Sequence, residues 1–274
     1  MSLNGRRAVV TGAARGIGQR TAAQLIARGA RVAILDRDGD ALVATAEQLG
    51  AEAFVADVSD QQGIETAVAQ AANALGGLDV LVANAGIATR RLATISGSDQ
   101  DELDRVMSVN VRGVWNTVRA GLRHMHDGGR IGIVASIYAY SNGVLMAPYA
   151  ASKAAVESLG RSLRVELAPR GIGVTIAYFG PVDTDFVHAF EDDPVVQALE
   201  QALPASIASR ITPEQAAAAF LDGIERGRSR VITPRRWIPL ELLRGPVGRL
   251  SDLALARSKT FANLISGMDN GRPS

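Results

Sequence analysis

Short β-branched runs alternating with longer alanine-rich stretches constrain this chain more than any other feature. RAVVT at 7 to 11, RVAILD at 31 to 36, AFVAD at 53 to 57, LDVLVAN at 78 to 84, RIGIVAS at 130 to 136, GVTIAYF at 173 to 179 and RVITP at 230 to 234 read as seven strands. Segments at 16 to 28, 40 to 49, 60 to 75, 102 to 126, 149 to 168 and 213 to 226 read as helices, several ending in glycine just past a basic residue. The strand runs are near-continuously apolar, as a parallel sheet covered by helices on both faces demands. The expected fold is one doubly wound α/β domain with a seven-stranded parallel sheet. Its right-handed crossovers align the strand carboxyl ends on one edge, where ligands bind at the switch in strand order. A length of 274 residues suits one such domain. The expected division is a domain over 1 to 234 and an extension over 235 to 274, rich in Trp, Pro, Leu and Arg.

Bulk properties exclude several partners. A formal net charge of +1 provides no global field to recruit nucleic acid. The absence of cysteine removes disulfides, thiolate zinc sites and cysteine nucleophiles. His124, His126 and His188 suggest no metal site, since the first two stand two apart on a predicted helix and point different ways. Only MSLNGRR precedes the first apolar run, so no signal peptide is expected. No apolar segment approaches the ~20 residues of a membrane-spanning helix, and a cytoplasmic location is the default expectation.

Directly after the first strand comes TGAARGIG, with Gly12, Gly16 and Gly18, running into a helical segment. Glycines there let the backbone turn tightly and approach a pyrophosphate seated on the positive end of the helix. The spacing is GxxxGxG rather than GxGxxG, and alone it also suits a simple strand-to-helix turn. Asp36, closing the second strand some ~20 positions on, is placed to accept hydrogen bonds from an adenosine ribose and to repel a ribose phosphate. This favours NAD(H), while Arg15 and Arg37 stand close enough to hold that phosphate and keep NADP(H) open.

Taken together, TGAARGIG, the Ala-Asp pair at 56 to 57, ANAG at 83 to 86, Asn110, Ser136 and YAASK at 149 to 153 resemble the short-chain dehydrogenase/reductase family over roughly residues 5 to 234. The resemblance implies a Rossmann-type fold and an NAD(P)-dependent oxidoreductase. It implies that Asp57 bonds the adenine ring, that Asn84 steadies the sheet beside the cofactor, and that Asn110 holds a water in a proton relay. It further implies cofactor contacts at Ile17, Val58, Ala85, Gly86, Tyr149, Lys153, Gly180, Val182 and Thr184. Dimerisation through the segments 102 to 126 and 149 to 168 also follows from it.

Tyr149 and Lys153, four apart on a predicted helix, project from the same face. An unperturbed tyrosine is a poor base at neutral pH, with a pKa near ~10. A neighbouring ammonium and a nicotinamide cation both favour the phenolate, which would take an alcohol proton as hydride leaves. Only two of the 29 cationic side chains are lysines, Lys153 and Lys259. A compact ammonium serves Tyr149 and ribose hydroxyls together in a way a planar guanidinium does not. Ser136 is placed to hydrogen-bond the substrate oxygen, and its surroundings, IVASIYA, lack the GxSxG elbow of a serine hydrolase. The competing readings are an NADPH-dependent carbonyl reductase and a nucleotide-sensing protein without turnover.

Three regions depart from the family pattern or vary within it. In FGPVDT at 179 to 184, Phe179 stands where the family usually has proline, so the pocket wall beside it is expected to differ. The variable segment 185 to 210 carries Phe186, Val187, Phe190, Val195, Val196, Leu199 and Leu203 among acidic residues. It reads either as a helical lid over an apolar pocket, implying a hydrophobic secondary alcohol or ketone, or as packing of the loop onto the domain. In the extension, Leu240, Leu243, Val247 and Leu250 share one helical face, interrupted by Pro246 and flanked by Arg244, Arg249 and Arg257. Packing on the domain or a partner subunit, contact with a membrane surface, and a mobile tail are the three readings.

Overall fold

The computed structural model describes residues 1–188, 190, 191, 193, 196, 197, 209–259, 262 and 265. Seven strands, β1 (Arg7–Thr11), β2 (Arg31–Asp36), β3 (Glu52–Val55), β4 (Leu78–Ala83), β5 (Met125–Val134), β6 (Gly173–Phe179) and β7 (Arg230–Thr233), form one parallel sheet in the order β3-β2-β1-β4-β5-β6-β7. It is the doubly wound, Rossmann-type arrangement expected. Successive strand residues point to opposite faces, and the sheet buries both: Val9 and Leu81 enter one apolar core while Val10 and Val82 enter the other. Helices α1 (Gly16–Ala27), α2 (Gly39–Leu49) and α8 (Pro213–Glu225) cover the second core. The first is covered by α3 (Gln61–Leu75), α5 (Gly113–Leu122) and α6 (Ala147–Glu166). The strand order reverses between β1 and β4, which opens the ligand crevice at their carboxyl ends.

The long helix expected over 102 to 126 is instead three pieces. Helix α4 (Gln100–Met107) leads through a π-helical turn, Ser108–Arg112, into α5, which stops at Leu122. Met125 then pairs with Leu78, and β5 begins five residues earlier than its apolar run suggests, with a register irregularity before Val80 pairs with Arg130. The histidine expectation changes accordingly: His124 lies beyond α5 and His126 within β5. Strand ends also move, since β3 stops at Val55 and leaves Asp57 in the following turn, and β5 stops at Val134, two residues short of Ser136.

Beyond β7 the extension forms α9 (Ile238–Leu242) and α10 (Arg244–Arg257), with Pro246 in the first turn of α10, where proline is tolerated. The expected single apolar face is split. Leu240 packs against the core while Leu243 and Leu250 are exposed, and the side chain of Val247 lies outside the described residues. Through Leu240 the described part of the extension touches the domain core. No helix among the described residues is long and apolar enough to cross a membrane.

Candidate active site

The glycine loop lies in the crevice at the end of β1 and is held from three sides. Asn84, just past β4, donates from Nδ2 to the carbonyls of Thr11 (3.0 Å) and Gly12 (2.9 Å), while Asp36 Oδ2 accepts from the Ala14 N–H (3.1 Å). Thr45 Oγ1 donates to the Ala14 carbonyl at 2.8 Å. The backbones approach so closely that a Cβ on Gly12 would stand 2.6 Å from Ala85 Cα, and one on Gly18 2.1 Å from the Gly12 carbonyl oxygen. Gly16, at φ +58, faces open space, and a Cβ there would meet only the Thr184 methyl at 3.7 Å. Helices α2 and α3 are capped by Asp38 and Asp60, but α1 has neither a capping side chain nor an acidic residue in its first turn. Its positive end is left to an anion. A dinucleotide's pyrophosphate fits this cradle on steric and electrostatic grounds.

Around the carboxyl end of β5, four side chains converge in the interior. The first turn of α6 carries Tyr149 and its second Lys153; both are buried, and Lys153 Nζ stands 5.6 Å from the centroid of the Tyr149 ring. Lys153 Nζ also donates to the Val134 carbonyl at 3.1 Å. Ser136, buried and in extended backbone, caps a 3-10 turn (Ile137–Tyr140) by accepting the Tyr138 N–H at 3.2 Å, and its hydroxyl lies close enough to Tyr149 to favour the phenolate. Tyr138 meets Tyr149 edge-on, with ring centroids 5.6 Å apart. Asn110 sits inside the π turn, fully buried. Its Oδ1 accepts the Ile87 N–H (2.8 Å), and its Nδ2 donates to the Ile87 carbonyl (3.0 Å) and to Ser152 Oγ (2.9 Å). Ser152 Oγ donates in turn to the Tyr149 carbonyl at 2.6 Å. A π turn widens the helix by one residue, a device frequent at functional sites; here it lets a polar side chain reach inward without losing partners.

Burial sets the protonation of this cluster. It pushes the Tyr149 phenol well above the ordinary tyrosine range, an effect only partly offset by the nearby Ser136 hydroxyl, and pushes Lys153 down to about 8. The expected lowering of Tyr149 is therefore not a property of the protein alone. Desolvation dominates here, and the further positive charge needed to favour the phenolate belongs to an oxidised nicotinamide.

The family model described as short chain dehydrogenase matches residues 6–194. The chain belongs to the short-chain dehydrogenase/reductase family. It is 38% identical over 188 residues to a sorbitol dehydrogenase of Cereibacter sphaeroides, covering 67% of this chain and 73% of that one. A short-chain dehydrogenase of Burkholderia cenocepacia solved with NADP superposes with a TM-score of 0.73 at 35% identity, over 85% of this chain and 97% of that one. A short-chain dehydrogenase/reductase of Burkholderia phymatum solved with NAD gives a TM-score of 0.78 at 25% identity, over 94% and 97% of the two chains. This member of the family is an NAD(P)-dependent oxidoreductase acting on CH–OH groups.

The remaining positions singled out by motif fall into two groups. Gly86 lies beside the buried polar cluster: a Cβ on it would stand 3.3 Å from both Asn110 Oδ1 and Lys153 Nζ. Asp57 folds its Oδ1 onto the Ser59 N–H (2.8 Å) and hydroxyl (2.7 Å). Arg15 pairs with Asp38, whereas Arg37 is exposed at the end of β2. Other side chains point into the core. Ile17 packs under the loop, and Val58 meets α5 where a Cβ on Gly113 would be 2.6 Å from its Cγ2. Val182 is buried and bridges to Ile211, while Thr184 Oγ1 donates to the Val182 carbonyl at 3.2 Å.

Phe179 corrects the expectation of an altered pocket wall. Its ring is buried edge-on against Phe220 of α8, with centroids 6.1 Å apart, and only its carbonyl reaches the site, accepting from Ser136 Oγ at 3.4 Å. In a separate small cluster, buried Leu92 and Leu145 pack with Val144, Met146, Phe190 and Val196. That joins the loop between Ser136 and Tyr149 to the variable segment, whose short helix α7 spans Asp185–His188. The side chain of Phe186, and Val195, Leu199 and Leu203, lie outside the described residues. Thr11 and Ser152 escape a reading by motif although both stand within the quoted motifs. Thr11 Oγ1 accepts the Asn84 N–H at 3.2 Å, and the hydroxyl at the fourth position of YAASK is the available signal for Ser152.

Proposed function

We propose that this oxidoreductase moves a hydride between NAD(H) and a hydrophobic secondary alcohol or ketone, with Tyr149 as the general base or acid. The observation that carries this reading is the buried constellation in which Ser136 and Tyr149 lie together beyond the end of β5 while Lys153 stands over the Tyr149 ring. When bound, the nicotinamide supplies the hydride acceptor or donor. Ser136 holds the substrate oxygen beside the Tyr149 hydroxyl, which takes the alcohol proton in oxidation and returns it in reduction. Lys153 places a positive charge next to the developing phenolate and holds the ribose, and the Asn110–Ser152 pair fixes the backbone from which Tyr149 projects. The apolar grouping of Leu92, Leu145, Met146 and Phe190 supports a substrate with a hydrocarbon body.

NAD is favoured over NADP because Asp36 presents its carboxylate at the end of β2, already bonded to the loop N–H of Ala14, while Arg15 is neutralised by Asp38. Thermal stabilisation by NAD, NADH, NADP and NADPH at equal concentration tests this directly. A rise with NAD(H) alone is expected; a larger rise with NADP(H) would give the selection to Arg37 and make ketone reduction the leading function.

A homodimer is proposed across α4–α5 and α6, where Trp115 and Val165 are exposed and a groove of about 640 Å³ is lined by Met107, Val111, Trp115 and Leu159. Sedimentation equilibrium should return twice the chain mass, with Trp115→Arg shifting it toward the monomer. A single-chain mass for the unaltered protein would refute the dimer.

A further inference from the structure

Building on the assignment of Tyr149, Lys153 and Ser136 to the reaction, we propose that Arg244, in the C-terminal extension, is a positioning residue that ties the catalytic helix α6 to the turn carrying Ser136. Glu157 lies one helical turn beyond Lys153 on α6 and is buried. Arg244 Nη1 donates to both of its carboxylate oxygens, at 2.8 and 3.1 Å, whereas Arg161 approaches the same carboxylate only to 3.9 Å. The same guanidinium lies 5.5 Å from the centroid of the Tyr140 ring, which stacks on Tyr178 of β6 with centroids 4.7 Å apart. Tyr140 ends the 3-10 turn that Ser136 caps, and Tyr138 in that turn abuts Tyr149. One side chain therefore touches both elements that present the proton-transfer groups.

Arginine suits this position because its donors engage a carboxylate while its face lies on an aromatic ring; an ammonium does one or the other. Without it the buried carboxylate of Glu157 loses its close partner, a strongly unfavourable state. The extension reaches the site at two further points. A Cβ on Gly180 would stand 2.5 Å from Trp237 Nε1, so the indole lies directly against the loop that leaves β6. Asn142 Nδ2 donates to Asp252 Oδ1 at 2.6 Å, next to the loop that carries Leu145. Trp237, Arg244 and Asp252 all lie beyond residue 194, where the family match ends. The extension is in this way a working part of the site's frame.

The test compares Arg244→Met, Arg244→Lys and the double variant Glu157→Gln/Arg244→Met, which retains no unpaired buried charge and serves if the single variant fails to fold. Amide hydrogen exchange over residues 137 to 149 is read against the glycine loop at 12 to 18, and kcat and KM for NAD are measured over pH with an alcohol substrate. For Arg244→Met, kcat is expected to fall about ten- to a hundredfold, as small misplacements of reacting groups do, while KM for NAD stays within about twofold. Exchange over 137 to 149 should quicken with that over 12 to 18 unchanged, the alkaline arm of the kcat profile should move, and Arg244→Lys should recover part of the loss. A folded Arg244→Met or double variant with the exchange and kcat of the unaltered protein overturns the proposal, as does loosened exchange with unchanged kcat. Turnover that survives Tyr149→Phe overturns the underlying catalytic assignment instead, and that result is read independently of Arg244.

Discussion

Tyr149→Phe should lower kcat by about 10³-fold or more, toward the upper end of what a positioned acid or base contributes, and leave stabilisation by NAD almost unchanged. The ring is buried and its edge contact with Tyr138 survives the substitution. What is lost is one buried hydroxyl beside Ser136, so folding stability should change by no more than about 1 kcal/mol. The pH dependence carries the sharper signature. Burial holds the phenol protonated well above the ordinary range, so alcohol oxidation, which needs the phenolate, should quicken as pH rises, while reduction, which needs the phenol, should stay nearly flat over the same range. The residual rate of Tyr149→Phe should lose this slope. Steady-state rates in both directions between about pH 6 and 10 measure it, and a variant that keeps the slope would remove Tyr149 from the proton transfer.

Lys153→Met should slow turnover sharply while making the cofactor-free protein more stable at neutral pH. The ammonium is buried, with the Val134 carbonyl as a partner at 3.1 Å, and its pKa falls from 10.5 to about 8. Lys153 thus binds its proton less tightly folded than unfolded, so unfolding takes up a proton between those two values and stability rises with pH across that window. Below about 8 the full penalty applies. At 1.36 kcal/mol per unit, less about 1 kcal/mol for the carbonyl left without its donor, removal of the charge should stabilise the chain by about 2 kcal/mol at pH 7. The advantage should shrink as pH rises from about 8 toward 10.5. Catalysis should drop about 10²-fold or more for want of charge beside the phenolate, and NAD stabilisation should weaken, unlike in Tyr149→Phe. Urea unfolding of both proteins at pH 7 and pH 10 decides the matter: a Met variant less stable at both would show that this lysine supports the fold instead of straining it.

Such a conflict between stability and function is a signature of an active site, and the residue types that create it are legible in the sequence alone. The spacing of Tyr149 and Lys153, the glycines after β1 and the acidic end of β2 all depend on chemistry local in the chain. The environment that tunes them is not local. Ser136 reads as the end of a strand because its run of apolar neighbours continues to Ala135; in the folded chain β5 stops at Val134 and Ser136 caps a turn instead. Asn110 reads as a helix-interior asparagine, and only the π turn together with Ile87 and Ser152 supplies a reason for it. Phe179, conspicuous as a departure from the family pattern, is occupied by Phe220, more than 40 positions away.

By itself the sequence determined the alternation of strand and helix, the parallel sheet buried on both faces, the place of the glycine loop and the residues proposed as catalytic, because hydrophobic periodicity and short motifs express physics acting over a few residues. Tertiary structure alone decided where α5 gives way to β5, since Met125 leaves the helical pattern to pair with Leu78 across the sheet. It alone decided the burial that raises Tyr149 and lowers Lys153, and the reach of Arg244 across 87 positions to Glu157. Those outcomes depend on which distant surfaces exclude water together, and no window of neighbouring residues contains that information.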